Sequence, residues 1–276
     1  CVSFVENIYL SIIQKNEIFS LFYMLSNSNL DLMFDFLKSI LSSSHFEKQY
    51  IKEIIKGEKL TYHKSLETLM LSFYSEYEKR KTYILNLYDI GDPELDLYFN
   101  LFRIRILQII KLYGSRDSDN KTFISFKELW TNLEKLGYIS VAHKFLDDTL
   151  RVFDDYALIN YNINQEDLSD STIILNSSAF YYIDFLIFTY RYIETIIPDS
   201  TLDYKPNILN IKGNLRQKDQ ELFNFIEYVK RCEKMEGKLC NQERIYKEIN
   251  GSEGIISEKI EKFIKEEIVR MKDFKN

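Results

Sequence analysis

The fold of this chain is decided by residues 101–188, which read LFRIRILQIIKLYGSRDSDNKTFISFKELWTNLEKLGYISVAHKFLDDTLRVFDDYALINYNINQEDLSDSTIILNSSAFYYIDFLIF. Apolar residues from Phe102 to Tyr113 predict a first helix, and Thr122-Phe123-Ile124 is a short β-prone segment. Ser125-Phe126-Lys127-Glu128 fits a capping box, in which the serine hydroxyl caps the helix and the glutamate side chain reaches back. The box predicts a second helix, which Gly137 is placed to end.

The second half of this segment predicts a third helix and a hairpin. The helix runs from about Val141 to Asp155. Two β-prone runs, Ala157–Ile159 and Thr172–Leu175, flank a polar segment and predict a hairpin with a long tip. Asn176-Ser177-Ser178 offers the start of a further helix, which Pro198 ends. Three helices followed by such a hairpin give the order of a winged helix, with the hairpin as the wing.

Composition favours a mainly α fold, to which the predicted β-hairpin adds a small amount of strand. Of 276 residues, only 8 are Gly and 3 are Pro, and both residue types break helices. The apolar share is 45%, with 20 Phe and 20 Tyr, which is enough for two or three separate cores.

Three domains are predicted along the chain. Residues 1–95 carry apolar residues at helical spacing and predict a bundle of four or five short helices, which a turn at Gly91-Asp92-Pro93 closes. Residues 96–200 are the predicted winged-helix domain. Residues 201–276 are helical and more charged, and predict a C-terminal helical arm.

No pattern in the sequence indicates catalysis or metal binding. His45, His63 and His143 lack a His or Cys partner at helical spacing, and the three Cys residues follow no metal-ligand pattern. The phosphate-binding pattern GxxxxGK[ST] does not occur, so this chain cannot hold a nucleotide through a P-loop of its own. We expect neither an enzyme nor a cofactor site within these residues.

The chain is predicted to be cytoplasmic and not to cross a membrane. An odd number of cysteines, three, fits a reducing compartment. The longest apolar run, Ala179 to Tyr190, is interrupted by Asp184 and is too short to span a bilayer. No signal peptide is recognised. Because the sequence begins at Cys1 rather than Met, we expect it to be part of a longer protein.

The surfaces with which a winged helix usually reads DNA are acidic here. From Ala142 to Asp155 the third helix has two basic residues against four acidic ones, and the wing, Asn162 to Asp170, has three acidic residues and no basic one. Binding to DNA needs Lys or Arg at the phosphates, because released counterions supply most of the affinity. The pattern favours docking of a protein partner, and the residues predicted for it are Asp147, Asp148, Asp154, Asp155, Glu166 and Asp167. The alternative interpretation is that these carboxylates are ordinary charges on a solvent-exposed face and bind no partner.

DNA binding is the alternative function. Lys144 and Arg151 lie seven residues apart, two helical turns on one face, and are the candidate nucleic-acid contacts. A second basic patch would combine side chains on and after the first helix, namely Arg103, Arg105, Lys111 and Arg116. Ordinary solvent-exposed helix charges are the simpler interpretation of both sets. The net charge of -6 argues against a general attraction to nucleic acid or to an anionic membrane.

Four motifs in a fixed order carry a resemblance to a known family. They are Leu25–Leu30 leading into Met33–Leu37, Tyr83–Asp89, Ile174–Ile183, and Tyr192-Ile193 followed by Pro198-Asp199-Ser200. Over about Glu17 to Thr201, this set resembles the C-terminal half of large prokaryotic P-loop ATPases of the AAA+/STAND type. In that family a helical lid follows the ATPase core, and a winged helix follows the lid.

The resemblance implies a lid-like role for the bundle of residues 1–95 and an ATP-binding core that would precede Cys1. In such ATPases a lid helix often starts with a Gly-Asn-x-Arg pattern, whose Arg senses the nucleotide phosphate. Asn29 matches the Asn, but Ser28 stands for the Gly and Asp31 for the Arg. A carboxylate cannot replace a guanidinium beside phosphate oxygens. Asn29 and Asp31 therefore form a sensor-like position without the expected charge.

Together these observations lead to one functional hypothesis. We expect a non-catalytic, partner-binding half of a P-loop ATPase-like protein, whose winged helix docks a protein partner or its own ATPase core, or holds the protein in an oligomer. The resemblance associates such proteins with signalling and with antiviral defence against phage. The alternatives are a DNA-binding module of an initiator-like ATPase, an enzyme in its own right, and a scaffold whose winged helix touches only its neighbouring domains.

Overall fold

The chain is mainly helical with one small sheet, as predicted. The computed structural model describes residues 2–14, 16–43, 48–71, 82–88, 100–164, 168–197, 217–241 and 244–273. The chain divides into two compact units, Cys1–Leu85 and Asn86–Asn276. The predicted turn at Gly91-Asp92-Pro93 and the predicted boundary near residue 95 lie outside the described residues. Within those described, no helix is both long and apolar enough to cross a bilayer.

The first unit is a bundle of short helices. Its described part contains α1 (Val2–Gln14), α2 (Asn16–Leu25), α3 (Leu30–Ser42), α4 (Lys48–Ile55) and α5 (Tyr62–Leu71). Buried apolar side chains that recur every three or four residues form the core, among them Ile18, Leu21, Phe22, Leu25, Phe36, Ile40, Leu66 and Leu69. The bundle therefore follows from the apolar spacing of its helices.

The polar break between α2 and α3 ends one helix and starts the next. Asn27 and Ser28 have φ values of 51° and 64°, in the left-handed region that Asn adopts more readily than most residues. The side chain of Asn29 then caps α3 by accepting hydrogen bonds from the amides of Asp31 and Leu32, at 3.0 and 3.2 Å.

The second unit contains the winged helix. In chain order its elements are α6 (Phe102–Tyr113), β1 (Ser115–Arg116), β2 (Thr122–Ser125), α7 (Phe126–Leu136), α8 (Ile139–Asp155), β3 (Ile159–Asn162) and β4 (Thr172–Leu175). The sheet is antiparallel with the order β1-β2-β4-β3, so the β3–β4 hairpin joins β2 through β4. The predicted order of helices, strand and hairpin is confirmed.

Both predicted ends of α7 are confirmed. The hydroxyl of Ser125 accepts from the Glu128 amide at 3.2 Å, and the Glu128 carboxylate accepts from the Ser125 amide at 3.0 Å. Gly137 ends the helix with a φ of 88°. A Cβ at this position would lie 3.0 Å from the Cα of Cys240. Glycine therefore serves both the left-handed turn and the close approach of the chain.

The first strand of the hairpin differs from the prediction. It runs over Ile159–Asn162 rather than Ala157–Ile159. The cause is the end of α8, where Ala157 adopts a φ of 52° and the amide of Leu158 donates to the carbonyl of Phe153 at 2.8 Å. These residues complete the helix end, so pairing in the sheet starts only after them.

The long helix predicted after the hairpin is interrupted. It consists of α9 (Ser177–Asp184) and α10 (Tyr190–Ile196), with a 3₁₀ turn between them. At Phe185 the backbone leaves the helical region, with φ -141° and ψ -62°, and the Thr189 hydroxyl caps α10. Pro198, predicted to end this helix, lies outside the described residues.

The C-terminal helices pack against the winged helix. They are α11 (Gln217–Leu239), a π-helical turn (Ile245–Ile249), α12 (Asn250–Glu253) and α13 (Ile256–Asp273). The amide of Asn241 donates to the Leu136 carbonyl at the end of α7, at 2.9 Å. The rings of Phe263 and Phe188 lie 5.6 Å apart. The domain limits 96–200 and 201–276 stay predictions, but the helices predicted as an arm share one compact unit with the winged helix.

Candidate protein-docking surface of the winged helix

The surface predicted to dock a partner lies on α8 and the wing. With about 3.6 residues per turn, α8 presents Ser140, Lys144, Asp148, Arg151 and Asp155 on one exposed face. The other side of the helix enters the core through Ala142, Leu146, Leu150 and Phe153. Each predicted residue of α8 can therefore be placed relative to this exposed face.

Asp147 is held by two neighbouring side chains. Arg151 donates from Nε to its Oδ2 at 2.8 Å, and the hydroxyl of Tyr161 in β3 donates to its Oδ1 at 3.3 Å. Burial and the nearby Asp147 carboxylate raise the pKa of Tyr161 to about 12, so the hydroxyl remains a donor at neutral pH. Asp147 therefore links the third helix to the hairpin and offsets the charge of Arg151.

Asp154 also serves the fold. Its Oδ1 accepts from the backbone amide of Tyr161 at 2.9 Å, which anchors the hairpin to the end of α8. Asp148 and Asp155 are exposed, as Asp154 also is, and they lie seven residues apart on the face that carries Lys144 and Arg151. Of the four α8 carboxylates in the predicted docking set, Asp148 and Asp155 are the best placed to meet a partner.

The two candidate nucleic-acid contacts do not form a continuous basic strip. Lys144 and Arg151 lie in one row of α8, as their spacing predicts, but Asp147 lies on one side of that row and Asp148 and Asp155 lie on the other. Arg151 is already paired with Asp147. A phosphate backbone approaching the row would meet carboxylates at a similar distance, and their repulsion opposes binding.

The wing adds an exposed carboxylate to the same unit. Asp170 is exposed at the end of a 3₁₀ turn. Ser171 closes the base of the wing, because its hydroxyl accepts from the amide of Asn164 at 2.9 Å and its carbonyl accepts from the amide of Phe126 at 2.8 Å. Glu166 and Asp167, both in the predicted docking set, lie outside the described residues.

The second basic patch predicted on the first helix is wrong. Arg105 is 0% exposed and Arg103 is 9% exposed, because α6 is the central helix of the unit and is buried from Phe102 to Ile110. Lys111 pairs with Asp184 at 2.7 Å. Two of the four predicted cations are therefore inside the protein and cannot meet a polyanion.

Arg105 is the centre of a buried polar network that the sequence did not predict. Its guanidinium binds the Glu236 carboxylate through Nε and Nη2, with the shortest distance at 2.7 Å. Its Nη1 donates to Gln108 Oε1 at 2.9 Å and to Asn250 Oδ1 at 3.0 Å. The hydroxyl of Tyr138 also donates to Glu236. The network joins α6 and the start of α8 to two C-terminal helices.

The ion pair with Glu236 keeps Arg105 protonated although it is buried. Burial disfavours a charged guanidinium, but the adjacent Glu236 carboxylate outweighs burial and raises the pKa of Arg105. The sequence signal for the site is the set of three polar residues, Arg103, Arg105 and Gln108, in the otherwise apolar segment FRIRILQII. No local rule identifies the partner, because Glu236 lies 131 residues away.

A second buried carboxylate holds the start of α13. Glu233 accepts hydrogen bonds from the amides of Ile256 and Ser257 and from the Ser257 hydroxyl. Burial raises the pKa of Glu233, although these hydrogen bonds and Arg105 act in the opposite direction. Glu233 therefore acts as a side-chain cap for α13, supplied from α11.

The sensor-like position predicted at Asn29 and Asp31 has a local role. Asn29 is the N-cap of α3, and Asp31 is exposed in the first turn of that helix. A carboxylate there interacts favourably with the helix dipole. These contacts account for both residues without a nucleotide.

The described residues offer no group suited to metal or thiol chemistry. No three His, Cys, Asp or Glu side chains among them are grouped to hold a metal ion. Burial raises the pKa of both Cys232 and Cys240 to about 12, so neither thiol is a nucleophile at neutral pH.

Comparisons of the chain with protein-family models, with curated proteins and with solved structures give no significant match. The binding properties of the α8 surface are therefore inferred from its geometry alone. A helix face of mixed charge with exposed carboxylates, beside a hairpin, suits a complementary polypeptide better than a polyanion.

Proposed function

We propose that this chain is the non-catalytic docking half of a P-loop ATPase-like protein, in which the exposed face of α8 and the wing bind a protein partner or the protein's own ATPase core. The observation that carries the proposal is the charge arrangement of α8. Asp148 and Asp155 border a basic row whose Arg151 is already paired with Asp147. A partner surface with Lys or Arg side chains complements this face, and such complementarity accelerates association and selects the partner.

The ATPase part of the proposal rests on the four resemblance motifs. ATP would bind in a core preceding Cys1, and this chain would pass the nucleotide state of that core to the partner. Cytoplasmic location and a role in signalling or phage defence belong to the same proposal.

Photo-crosslinking in cells tests the docking surface. A photoreactive phenylalanine analogue replaces Asp148 in one variant and Asp119 in the control, since Asp119 is exposed elsewhere in the same unit. We expect position 148 to crosslink to a protein and position 119 not to do so. Equal crosslinking at both positions would contradict the proposal, as would crosslinks from position 148 to nucleic acid alone.

Titration of labelled duplex DNA at several salt concentrations tests the alternative. The variant Asp148→Lys/Asp155→Lys replaces the two exposed carboxylates beside Lys144 and Arg151 with cations. It is expected to gain salt-dependent DNA binding that the natural chain lacks. If the natural chain itself binds DNA with a steep salt dependence, and Arg151→Ala weakens that binding, the DNA-binding function is the correct one.

A further inference from the structure

One apolar face of α3 is uncovered. Leu30 and Phe34 are each 67% exposed and Leu41 is 39% exposed, although the opposite face of the helix packs in the bundle. Together with the half-buried Leu37, these side chains form the α3 row: Leu30, Phe34, Leu37 and Leu41. The steps of four, three and four residues are those of the a and d positions in a coiled-coil seam.

Charged side chains border the α3 row on its solvent side. Asp31 and Lys38 are exposed, and each directly follows a residue of the row, in the flanking e position of the heptad. Asp35 is also exposed but follows Phe34 in the b position, farther from the row. The other border of the row is the face buried in the bundle. The row thus has an acid and a base, two turns apart, along one edge.

We propose that α3 pairs with α3 of a second copy of this chain, antiparallel and about a twofold axis. Leu30 then faces Leu41 of the second copy and Phe34 faces Leu37 of the second copy, so both rows are covered. A twofold axis perpendicular to the two helices brings the charged edges together. Asp31 of each copy therefore meets Lys38 of the other, and the dimer contains two such ion pairs.

Charge complementarity identifies a second copy as the occupant of the row. One edge of α3 carries both halves of the ion pair, at the spacing that an antiparallel copy needs. In a parallel pair the charged edge of one copy would face the bundle side of the other, and the ion pairs would be lost. Because α3 has only 13 residues, the contact is small, and we expect a weak dimer that forms with rising concentration.

Sedimentation equilibrium of the full chain tests the proposal with charge-swap variants. Lys38→Asp and Asp31→Lys each create like-charge pairs in the dimer and are expected to weaken self-association about tenfold. A mixture of these two variants restores opposite charges and is expected to form a heterodimer, and Asp31→Lys/Lys38→Asp is expected to dimerise like the natural chain. Asp35→Lys is the matched control and should change the dissociation constant little.

An apolar variant completes the test. Phe34→Ser removes an exposed side chain from the centre of the row and is expected to abolish dimers, with unchanged helical circular dichroism. The proposal is overturned if the natural chain stays monomeric at high concentration, which would leave the row to another occupant. It is also overturned if the two charge variants do not combine when mixed.

Discussion

Arg105 is a fully buried cation in the centre of the second unit, and two of its partners, Glu236 and Asn250, lie 131 and 145 residues away in the chain. A buried charge without a partner costs several kcal/mol, and the bidentate contact with Glu236 offsets that cost. Gln108 and Asn250 accept from the remaining guanidinium nitrogen. The winged helix therefore depends on α11 and α12 to satisfy a charge on its own central helix.

Removal of one charge of this pair should be far more costly than removal of both. Arg105→Met leaves the Glu236 carboxylate buried without its cation and is expected to lower the free energy of unfolding by about 3–5 kcal/mol. Arg105→Met/Glu236→Leu should lower the free energy of unfolding less than Arg105→Met alone, and therefore far less than the sum of the two single changes, as measured by urea unfolding. The partly exposed pair of Lys230 and Glu261 provides the control cycle, with a coupling of about 0–1 kcal/mol. Equal coupling energies in the two cycles would contradict the conclusion that the buried pair of Arg105 and Glu236 stabilises the fold more than an exposed ion pair does.

Glu233 predicts a pH dependence of stability. Burial raises its pKa above the ordinary value of 4.5, so the folded state binds this proton more tightly than the unfolded state. Its contribution to stability is then complete below the unfolded pKa and is lost as the pH rises through the folded pKa. Because Glu233→Gln cannot titrate, the stability of the natural chain relative to this variant should fall as the pH rises above the ordinary pKa of 4.5, in urea unfolding at a series of pH values.

A second variant tests the cause of that dependence. The Ser257 hydroxyl lowers the pKa of Glu233, so Ser257→Ala should raise this pKa further and steepen the loss of stability with pH. A relative stability that instead increases with pH would show that Glu233 is stabilised as a carboxylate.

At the scale of single elements, α7 illustrates how local chemistry sets a boundary. Its capping box satisfies amides at the helix start that would otherwise lack partners, and Gly137 allows the left-handed turn at its end. The helix can therefore be bounded from the sequence alone, and its position fixes where β2 ends and α8 begins.

Loss of the cap should destabilise the second unit measurably. Ser125→Ala removes the hydroxyl that accepts from the Glu128 amide and is expected to cost about 1 kcal/mol in thermal or urea unfolding. Ser140→Ala, on the exposed face of α8, is the control and should change stability by less than about 0.5 kcal/mol. A cost for Ser125→Ala no larger than that of the control would mean that the box is not formed in solution.

Elements with local signals were predicted correctly, and those set by distant contacts were not. The spacing from Phe102 to Tyr113 and the box at Ser125 specify their helices directly. The strand after α8 starts later than predicted because Ala157 adopts a left-handed conformation, which alanine rarely does and the sequence therefore does not predict. On the predicted docking surface, spacing placed Lys144 and Arg151 on one face of α8. The use of Asp154 to anchor Tyr161 depends instead on how the hairpin returns to the helix.

At the scale of the whole molecule, the C-terminal helices belong to the same compact unit as the winged helix. Their charged composition predicts a helical arm, yet α11 and α13 bury apolar side chains in this unit, and α11 supplies Glu236 and Glu233 to the interior. Partner binding is therefore expected on the faces that this packing leaves exposed, above all on α8. Because the C-terminal helices pack against α6 and α7, the stability of the proposed docking surface depends on residues beyond 200.

Expression of residues 96–200 alone tests this dependence. Without α11 and α12, Arg105 loses Glu236 and Asn250, and the fragment is expected to lack fixed tertiary structure in near-ultraviolet circular dichroism. Residues 86–276 retain these partners and should unfold cooperatively. Arg105→Met in the short fragment is the matched control, because it removes the unpaired charge and should recover part of the order. If the short fragment unfolds cooperatively with its natural Arg105, the winged helix is an independent domain and the buried network is dispensable for its fold.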